Sequence, residues 1–204
     1  MEGKLFQYQK EGNYAGNFIL CEEIDPSSFI GGVYGALLQL FNGAGGKTGI
    51  ELIAFFENDR MNAYIYANSK KENEIEITGY NRILLNESTS GSTVPVERGK
   101  LATSPFWIDV GHELAHRQDY LLRGAEANKT WYTDSEGKDI IDSEKYATHI
   151  ENLMRSSTNF LPLRTHYQSQ GMWGYEPSRI INRKGESLFF EGTKYTPLRQ
   201  RTKK

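Results

Sequence analysis

One predicted helix with clearly marked ends organises the C-terminal half of this sequence. Ser104 and Pro105 mark its start, because a serine hydroxyl can cap a helix and proline is tolerated in the first helical turn. Gly124 marks its end, since glycine readily adopts the left-handed conformation that follows many helices. We therefore predict a helix from Pro105 to about Arg123.

An H-E-x-x-H motif, formed by His112, Glu113 and His116, lies inside this helix. Histidines four positions apart project from one face, one turn apart, so their imidazoles can bind a single zinc ion. Glu113 is offset around the helix towards a water at the metal, which suits a general base. The motif predicts a zinc hydrolase and favours peptide bonds over other substrates. The competing interpretation is a surface helix with two solvated histidines.

The composition limits the other classes of protein that this chain can be. Of its 204 residues four are histidine and one is cysteine, Cys21, which excludes a disulfide framework and an all-cysteine zinc site. A closed structural zinc site usually draws on thiolates, so a binding module with structural zinc is disfavoured. The net charge of -2 argues against nucleic-acid binding, and no apolar run is long enough for a membrane span.

The segments before this helix predict one further helix and several strands. Asp25 and Pro26 mark a helix start, and apolar residues follow at helical spacing up to Phe41. A flexible, glycine-rich turn is expected over residues 42–49. It contains Gly46-Lys47-Thr48, but we reject a phosphate-binding loop, because Phe41 replaces its leading glycine and a strand is expected to follow. Strands are predicted at residues 50–56, 64–66, 75–78 and 82–85, and a polar loop over 86–99.

A polar connection over residues 125–139 leads to a second predicted helix, which begins near Asp142 or Ser143 and runs to about Ser156. One side of this helix is a polar stripe, made of Glu144, Thr148, Glu151 and Arg155. The other side is predicted to pack in the core, through Tyr146, Ile150, Leu153 and Met154. The stripe either supplies a carboxylate ligand with its supporting groups or is a solvated face with an ion pair.

A catalytic zinc ion needs a third protein ligand and an open position for water. The extended form of the motif would place a histidine at Leu122, so the third ligand must come from further along the chain. His149 lies off the polar stripe and is more typical of a packing residue. The full set of candidates is Asp134, Asp139, Asp142, Glu144, His149, Glu151 and His166.

These motifs resemble the NleD-like bacterial effector and toxin zinc metallopeptidases. The resemblance is carried by the H-E-x-x-H motif, then by Glu144-x-x-x-Thr148-x-x-Glu151-Asn152-x-x-Arg155, then by Arg164-x-x-Tyr167. The order of elements is similar over about residues 49–190. The family usually shows two successive acidic residues where this chain has Ser143 and Glu144, which makes Glu144 the candidate third ligand.

The resemblance implies a zincin-like α+β fold, in which an antiparallel sheet packs on the H-E-x-x-H helix and a second helix bears a ligand. We expect one domain over residues 1–204. Its parts are an N-terminal extension (1–25), a helix plus sheet (26–103), the catalytic helices (104–167) and a loop-rich C-terminal part (168–204).

The resemblance also implies a zinc-dependent endopeptidase that cleaves a protein inside a target cell. In the mechanism that we expect, Glu113 is the general base and Tyr167 donates a hydrogen bond to the oxyanion. His166 and Arg164 are the next choices for that donor. Further supporting or substrate-binding candidates are His166, Arg164, Glu151 and Thr148. The alternatives are a zinc hydrolase of a non-peptide substrate and a non-toxic cytosolic peptidase.

Expected partners are a protein substrate and an immunity or carrier protein, with no nucleic acid and no membrane span. The start of the chain lacks the apolar core of a secretory signal, so we expect secretion by another route and action in the target-cell cytoplasm, or a cytoplasmic protein. An extended substrate is expected to add to a strand edge. Trp173 is expected to cap a core rather than to line a specificity pocket. A hairpin is expected around residues 183–185, followed by a solubilising basic tail over 199–204.

Overall fold

The structure is a computed structural model that describes residues 6–8, 18–20, 25, 27–56, 63–69, 74–75 and 82–198. It confirms the α+β class. Four helices are present in the described residues: α1 (Phe29–Phe41), α2 (Gly46–Phe55), α3 (Phe106–Arg123) and α4 (Ser143–Ser156). The strands are β1 (Phe6–Tyr8), β2 (Phe18–Leu20), β3 (Tyr64–Asn68), β4 (Glu74–Ile75), β5 (Arg82–Asn86), β6 (Thr93–Val96), β7 (Lys100–Thr103), β8 (Thr130–Thr133), β9 (Asp139–Ile141), β10 (Ser169–Gln170) and β11 (Trp173–Gly174).

The described strands form small sheets. The three-stranded sheet has the order β3-β5-β4, with β3 parallel and β4 antiparallel to β5. Four further sheets are antiparallel pairs, β1 with β2, β6 with β7, β8 with β9, and β10 with β11. The expected antiparallel pairing is therefore wrong for β3 and β5, because side-chain alternation indicates which face is buried and not the direction of the partner strand.

The main core lies between α1, α3, α4 and the three-stranded sheet. Leu40 of α1, Ile108 of α3 and Met154 of α4 are completely buried in it. Ile150 and Met154 lie in this core with Tyr146 and Leu153 packed against it, as predicted for the apolar side of α4. A second, smaller cluster supports the C-terminal part through Leu163, Ile180, Ile181 and Tyr195.

Helices α3 and α4 cross closely at Gly111. A Cβ atom at this position would lie 2.6 Å from Cε of Met154, so only glycine fits without a shift of that side chain. Gly111 directly precedes His112, and Met154 follows Glu151 by three positions. The close crossing therefore brings the polar stripe of α4 against the face of α3 that carries the motif.

The predicted strand over residues 50–56 is wrong, since this segment belongs to α2. Gly49 and Leu52 are buried, and Ile53 and Phe56 pack against the main core. These positions are three or four apart, so core packing favours a helix over the β propensity of the side chains. The flexible turn accordingly ends at residue 45. Helices on both sides of this turn, together with Phe41, leave no strand-loop-helix arrangement for a phosphate-binding loop.

Two expected helix caps are also wrong. Ser28 caps α1, and its hydroxyl accepts a hydrogen bond from the Gly31 amide at 3.0 Å, whereas Asp25 accepts hydrogen bonds from Ser27. Ser104 does not cap α3, because its hydroxyl accepts a hydrogen bond from Arg155. Gly124 ends α3 with a φ of 58°, as predicted for a glycine at that position.

The loops contain more structure than expected. The predicted polar loop over residues 86–99 includes β6, and the connection over 125–139 includes a 3-10 turn (Gly124–Asn128), β8 and the start of β9. Pairing of Ile181 with Ser187 confirms the hairpin around residues 183–185. The basic tail lies outside the described residues. Within the part of the chain that is described, none of the helices has the length and apolar character of a membrane span.

Candidate metal centre

Three side chains from α3 and α4 converge on one point. The Nε2 atoms of His112 and His116 lie 3.3 and 3.0 Å from Oε2 of Glu144, respectively. One ligand atom from each residue lies within 4.8 Å of the others. Both histidines are buried and Glu144 is half-buried. Two imidazole nitrogens and one carboxylate oxygen at this separation could hold a metal ion.

The other ring nitrogen of each histidine has its own partner. Nδ1 of His112 lies 3.0 Å from Oε2 of Glu151, and Nδ1 of His116 lies 2.9 Å from Oγ of Ser143. A partner at Nδ1 fixes the orientation of an imidazole and directs Nε2 to the metal position. Ser143 was considered above only as a helix cap. Its place beside Glu144, where the resembled family has an acidic pair, is the signal that could have identified it.

Glu151 is the centre of a buried ion network. Its Oε1 accepts a hydrogen bond from Nε of Arg155 and its Oε2 accepts one from Nη1 of Arg164, both at 2.7 Å. Glu151 and Arg155 are each only 1% exposed, so a solvated face is the wrong interpretation of the polar stripe. Burial opposes ionisation of Glu151, but the two arginines hold the pKa of its carboxyl well below the usual range.

The electrostatics of the convergence point favour a positive charge. Burial opposes protonation of His112, yet its hydrogen bonds to Glu144 and Glu151 raise the pKa of the imidazole to about 10. Burial also opposes ionisation of Glu144, but the nearby His116 and His112 lower the pKa of that carboxyl. A proton or a metal cation between these groups is therefore stabilised by the same carboxylates.

Glu113 lies beside this group in a cavity of 110 Å³, whose lining residues are Ser92, Asp109, His112, Glu113, Arg164 and Tyr167. Its Oε2 atom is buried and has no hydrogen-bond partner among the described residues. Burial raises the pKa of the Glu113 carboxyl to about 7. An orphaned carboxylate oxygen is rare in a folded protein and points to a site that receives a ligand or water. Asp109, on the same cavity, instead accepts two hydrogen bonds from Ser92.

The three candidate oxyanion donors occupy different places. Tyr167 and Arg164 line the cavity that contains Glu113, and the Tyr167 hydroxyl donates to Oε1 of Glu144 at 2.9 Å. The guanidinium of Arg164 lies 5.1 Å from the centre of the Tyr167 ring. His166 lines a separate cavity. Thr148 is a buried residue of α4, and its hydroxyl has no hydrogen-bond partner among the described residues.

The other candidate ligands have different partners. Asp134 and Asp139 accept hydrogen bonds within the β8–β9 hairpin, and Asp142 pairs with Arg123 and Lys145. Nδ1 of His149 lies 2.7 Å from the Tyr195 hydroxyl, and its ring stacks on Phe190 with the centroids 4.0 Å apart. In the described part of the chain, His112, His116 and Glu144 form the one group of three side chains with the geometry for a metal ion.

Trp173 does not cap a core, so that expectation is wrong. Its side chain is 65% exposed and lines the same cavity as His166. The six-membered ring of the indole packs against Gly99.

Comparisons with known proteins found no relative of this chain. No family model matches the chain, and neither a curated protein nor a solved structure matches it. The resemblance to NleD-like metallopeptidases therefore remains a prediction from the motif residues.

Proposed function

We propose that this chain is a zinc-dependent endopeptidase with a zincin-like arrangement, related to the NleD-like metallopeptidases and acting as a bacterial effector or toxin on a protein inside a target cell. The observation that carries the proposal is the position of Glu113. Glu113 lines a cavity beside three side chains that could hold a metal ion, and its Oε2 atom is buried without a hydrogen-bond partner among the described residues. A carboxylate in that place suits proton transfer to and from a reacting water.

The donor set fits zinc. Catalytic zinc sites commonly use two histidines and one carboxylate from the protein, and they leave a position open. His112, His116 and Glu144 would provide these ligands through Nε2, Nε2 and a carboxylate oxygen. When bound, zinc supplies Lewis-acid chemistry that acidifies water and polarises a carbonyl group.

Proton transfer, oxyanion binding and positioning of the imidazoles are assigned to different side chains. Glu113 takes a proton from the attacking water and returns it to the leaving amine, and its pKa of about 7 allows both transfers. The Tyr167 hydroxyl, which lines the same cavity, is the proposed hydrogen-bond donor to the developing oxyanion. Glu151 and Ser143 hold the two imidazoles through Nδ1.

The effector or toxin role is supported by the resemblance within residues 112–167. The polar residues that carry it are buried together around one site: Glu144 and Glu151 contact the motif histidines, and Arg155 and Arg164 contact Glu151. Polar residues that only made the surface soluble would not converge on one site. The convergence therefore supports a common active centre for the residues that carry the resemblance.

The test compares metal content and proteolysis in matched variants. The parent and Glu113→Gln should each contain about one zinc per chain. The parent should cleave unfolded casein in a chelator-sensitive manner, and Glu113→Gln should be slower by about 10²- to 10⁴-fold. Glu144→Ala should lose zinc, whereas His149→Ala, on the other side of the same helix, should retain it. Equal cleavage by Glu113→Gln and parent would overturn the mechanism.

The effector or toxin role needs a cellular experiment. Expression of the parent inside a sensitive cell should arrest growth, and Glu113→Gln should relieve the arrest. A variant that is as harmful as the parent would show that proteolysis is not the cause.

A further inference from the structure

A second cavity of 510 Å³ is lined in part by the segment that also contributes Arg164 and Tyr167 to the metal cavity. The two cavities share one short segment: Arg164 and Tyr167 line the metal cavity, and Thr165 and His166 line the second one. Since consecutive Cα atoms are about 3.8 Å apart, a polypeptide that crosses the metal centre can place a neighbouring side chain in the second cavity.

The wall of this cavity carries a small net positive charge, from three arginines against two glutamates. It includes Arg98, Arg179 and Arg183. Arg179 is paired with Glu176 and donates from Nε to Oε2 at 2.9 Å and from Nη2 to Oε1 at 2.5 Å. Arg98 and Arg183 are exposed, and neither has an ion-pair partner among the described residues. Two guanidinium groups are therefore available to an anionic ligand.

The remaining carboxylate on the wall, that of Glu97, is held in place by the backbone. Oε2 of Glu97 accepts hydrogen bonds from the backbone amides of Leu163 and Leu198, at 3.0 and 3.1 Å. Glu97 therefore holds two backbone segments together, and its charge is partly satisfied by these amides.

His166 provides a polar atom that lacks a partner. The residue is 7% exposed, and its Nδ1 atom lies 2.9 Å from the Thr165 hydroxyl. Its Nε2 atom has no hydrogen-bond partner among the described residues and lies 3.7 Å from Oε1 of Glu176, which is beyond hydrogen-bond distance. A Cβ atom at Gly174 would lie 2.0 Å from Nδ1, so the backbone packs directly on the imidazole and fixes it. One nitrogen of an immobilised ring thus makes no hydrogen bond and lies beside the Glu176 carboxylate.

The backbone around Arg98 is held in an unusual conformation. Arg98 has a φ of 68°, which residues other than glycine seldom adopt, and Gly99 follows with a φ of 62°. This turn lies under the ring of Trp173, since a Cβ atom at Gly99 would be 2.7 Å from the indole. Both Arg98 and Gly99 belong to the turn that joins β6 to β7, and positive φ is common in hairpin turns.

We propose that this cavity binds an acidic side chain, aspartate or glutamate, of the polypeptide that is cleaved at the metal centre. Arg98 and Arg183 donate charged hydrogen bonds to the carboxylate, and Trp173 covers the hydrocarbon part of the side chain. The volume lies within the range of about 300–1,000 Å³ that is usual for ligand pockets, so backbone on either side of the acidic residue also fits. This inference depends on the proposed endopeptidase function.

The first test profiles the cleavage sites of a peptide library. The parent should prefer Asp or Glu at one fixed position within a few residues of the cleaved bond. The double variant Arg98→Gly, Arg183→Ala should lower this preference by about tenfold while it still cleaves the library. Glycine at position 98 suits the positive φ, so the variant should fold normally. Lys184→Ala, an exposed cation that does not line the cavity, is the matched control and should keep the preference. A parent without acidic preference, or a preference that survives in the double variant, would overturn the proposal.

The second test does not depend on cleavage. N-acetylglutamate amide, its glutamine counterpart and inorganic phosphate are titrated separately into isotope-labelled protein, and backbone amide shifts are followed at Gly99, Gly174 and Arg183. Saturable shifts with the glutamate compound alone support the proposal. No shift, or tighter binding of phosphate, overturns it. Glutamate binding in a protein that cleaves nothing would support the carboxylate site and contradict the endopeptidase function.

Discussion

Nδ1 of His112 lies 3.0 Å from Oε2 of Glu151, the same oxygen that accepts a hydrogen bond from Arg164. One carboxylate atom thus joins a candidate metal ligand to a buried ion network. A change at Glu151 should therefore alter both the orientation of the imidazole and the packing of α4 against its surroundings. Effects on metal binding and effects on stability are accordingly expected together at this residue.

Glu151→Gln should weaken both the fold and metal binding. Removal of the charge leaves Arg155 and Arg164 buried without a carboxylate, so the free energy of unfolding should fall by about 3–5 kcal/mol. Zinc affinity should fall by about 10- to 100-fold. Urea unfolding of the metal-free protein and zinc titration measure the two effects. Glu51→Gln, which removes an exposed ion pair with Lys47, should change neither by much. Unchanged stability in Glu151→Gln would contradict the described network.

Ser143→Ala should act on the metal more than on the fold. The hydroxyl of Ser143 is the partner of His116 at Nδ1, so its loss should lower zinc affinity by about tenfold or more. No ion pair is broken, and the free energy of unfolding should fall by only about 1 kcal/mol. Competition with a chelator of known affinity measures the first effect. Ser156→Ala, at the other end of α4, is the control and should bind zinc as the parent does.

Tyr167→Phe should lower kcat by about 10²- to 10³-fold without loss of zinc, if the hydroxyl stabilises the oxyanion. The same hydroxyl donates to Glu144 in the structure, so zinc affinity must be measured together with the kinetics. A large loss of zinc affinity with little change in kcat of the zinc-saturated variant would instead show that Tyr167 acts only by positioning Glu144.

His149 should make the fold sensitive to mild acid. Burial lowers the pKa of its imidazole to about 4 in the folded chain, against about 6.5 for a histidine in water. As the pH falls the unfolded chain takes up the proton first, so stability is full above about pH 6.5 and is lost progressively towards pH 4. Allowing for partial exposure, we expect a loss of about 1–2 kcal/mol from this residue. Urea unfolding of metal-free protein at pH 7 and pH 5 should show a smaller difference for His149→Phe than for the parent, and an equal difference would refute the assignment.

The helices of the site were predictable because their signals are local. Proline, glycine and the periodic apolar residues lie within the helices or at their ends, and the observed bounds of α3 and α4 differ little from the predicted ones. The segment at Ile50 was mispredicted as a strand because its helical state depends on a core that other elements provide. The parallel pairing of β3 with β5 could not be predicted from local sequence either, since it depends on contacts between distant segments.

In the candidate site, too, features set by local sequence were predictable and features set by distant contacts were not. The spacing of His112 and His116 and the polar stripe of α4 follow from helical geometry alone. The burial of that stripe does not, because Arg164 reaches Glu151 from a segment outside both helices. The cavity at His166 and Trp173 was missed for the same reason: its lining comes from a hairpin turn, a short strand and the C-terminal loops.

Arg155 links three segments of the chain around the site through its own contacts. Its guanidinium contacts Ser104 before α3, Glu151 within α4 and the carbonyl of Pro162 beyond α4. These three segments are thereby joined by a protein side chain rather than by the metal. If zinc binds as proposed, a protein assembled in this way would lose the ion and regain it without refolding. The supply of zinc in the surrounding compartment, rather than completion of folding, would then decide when the chain becomes active.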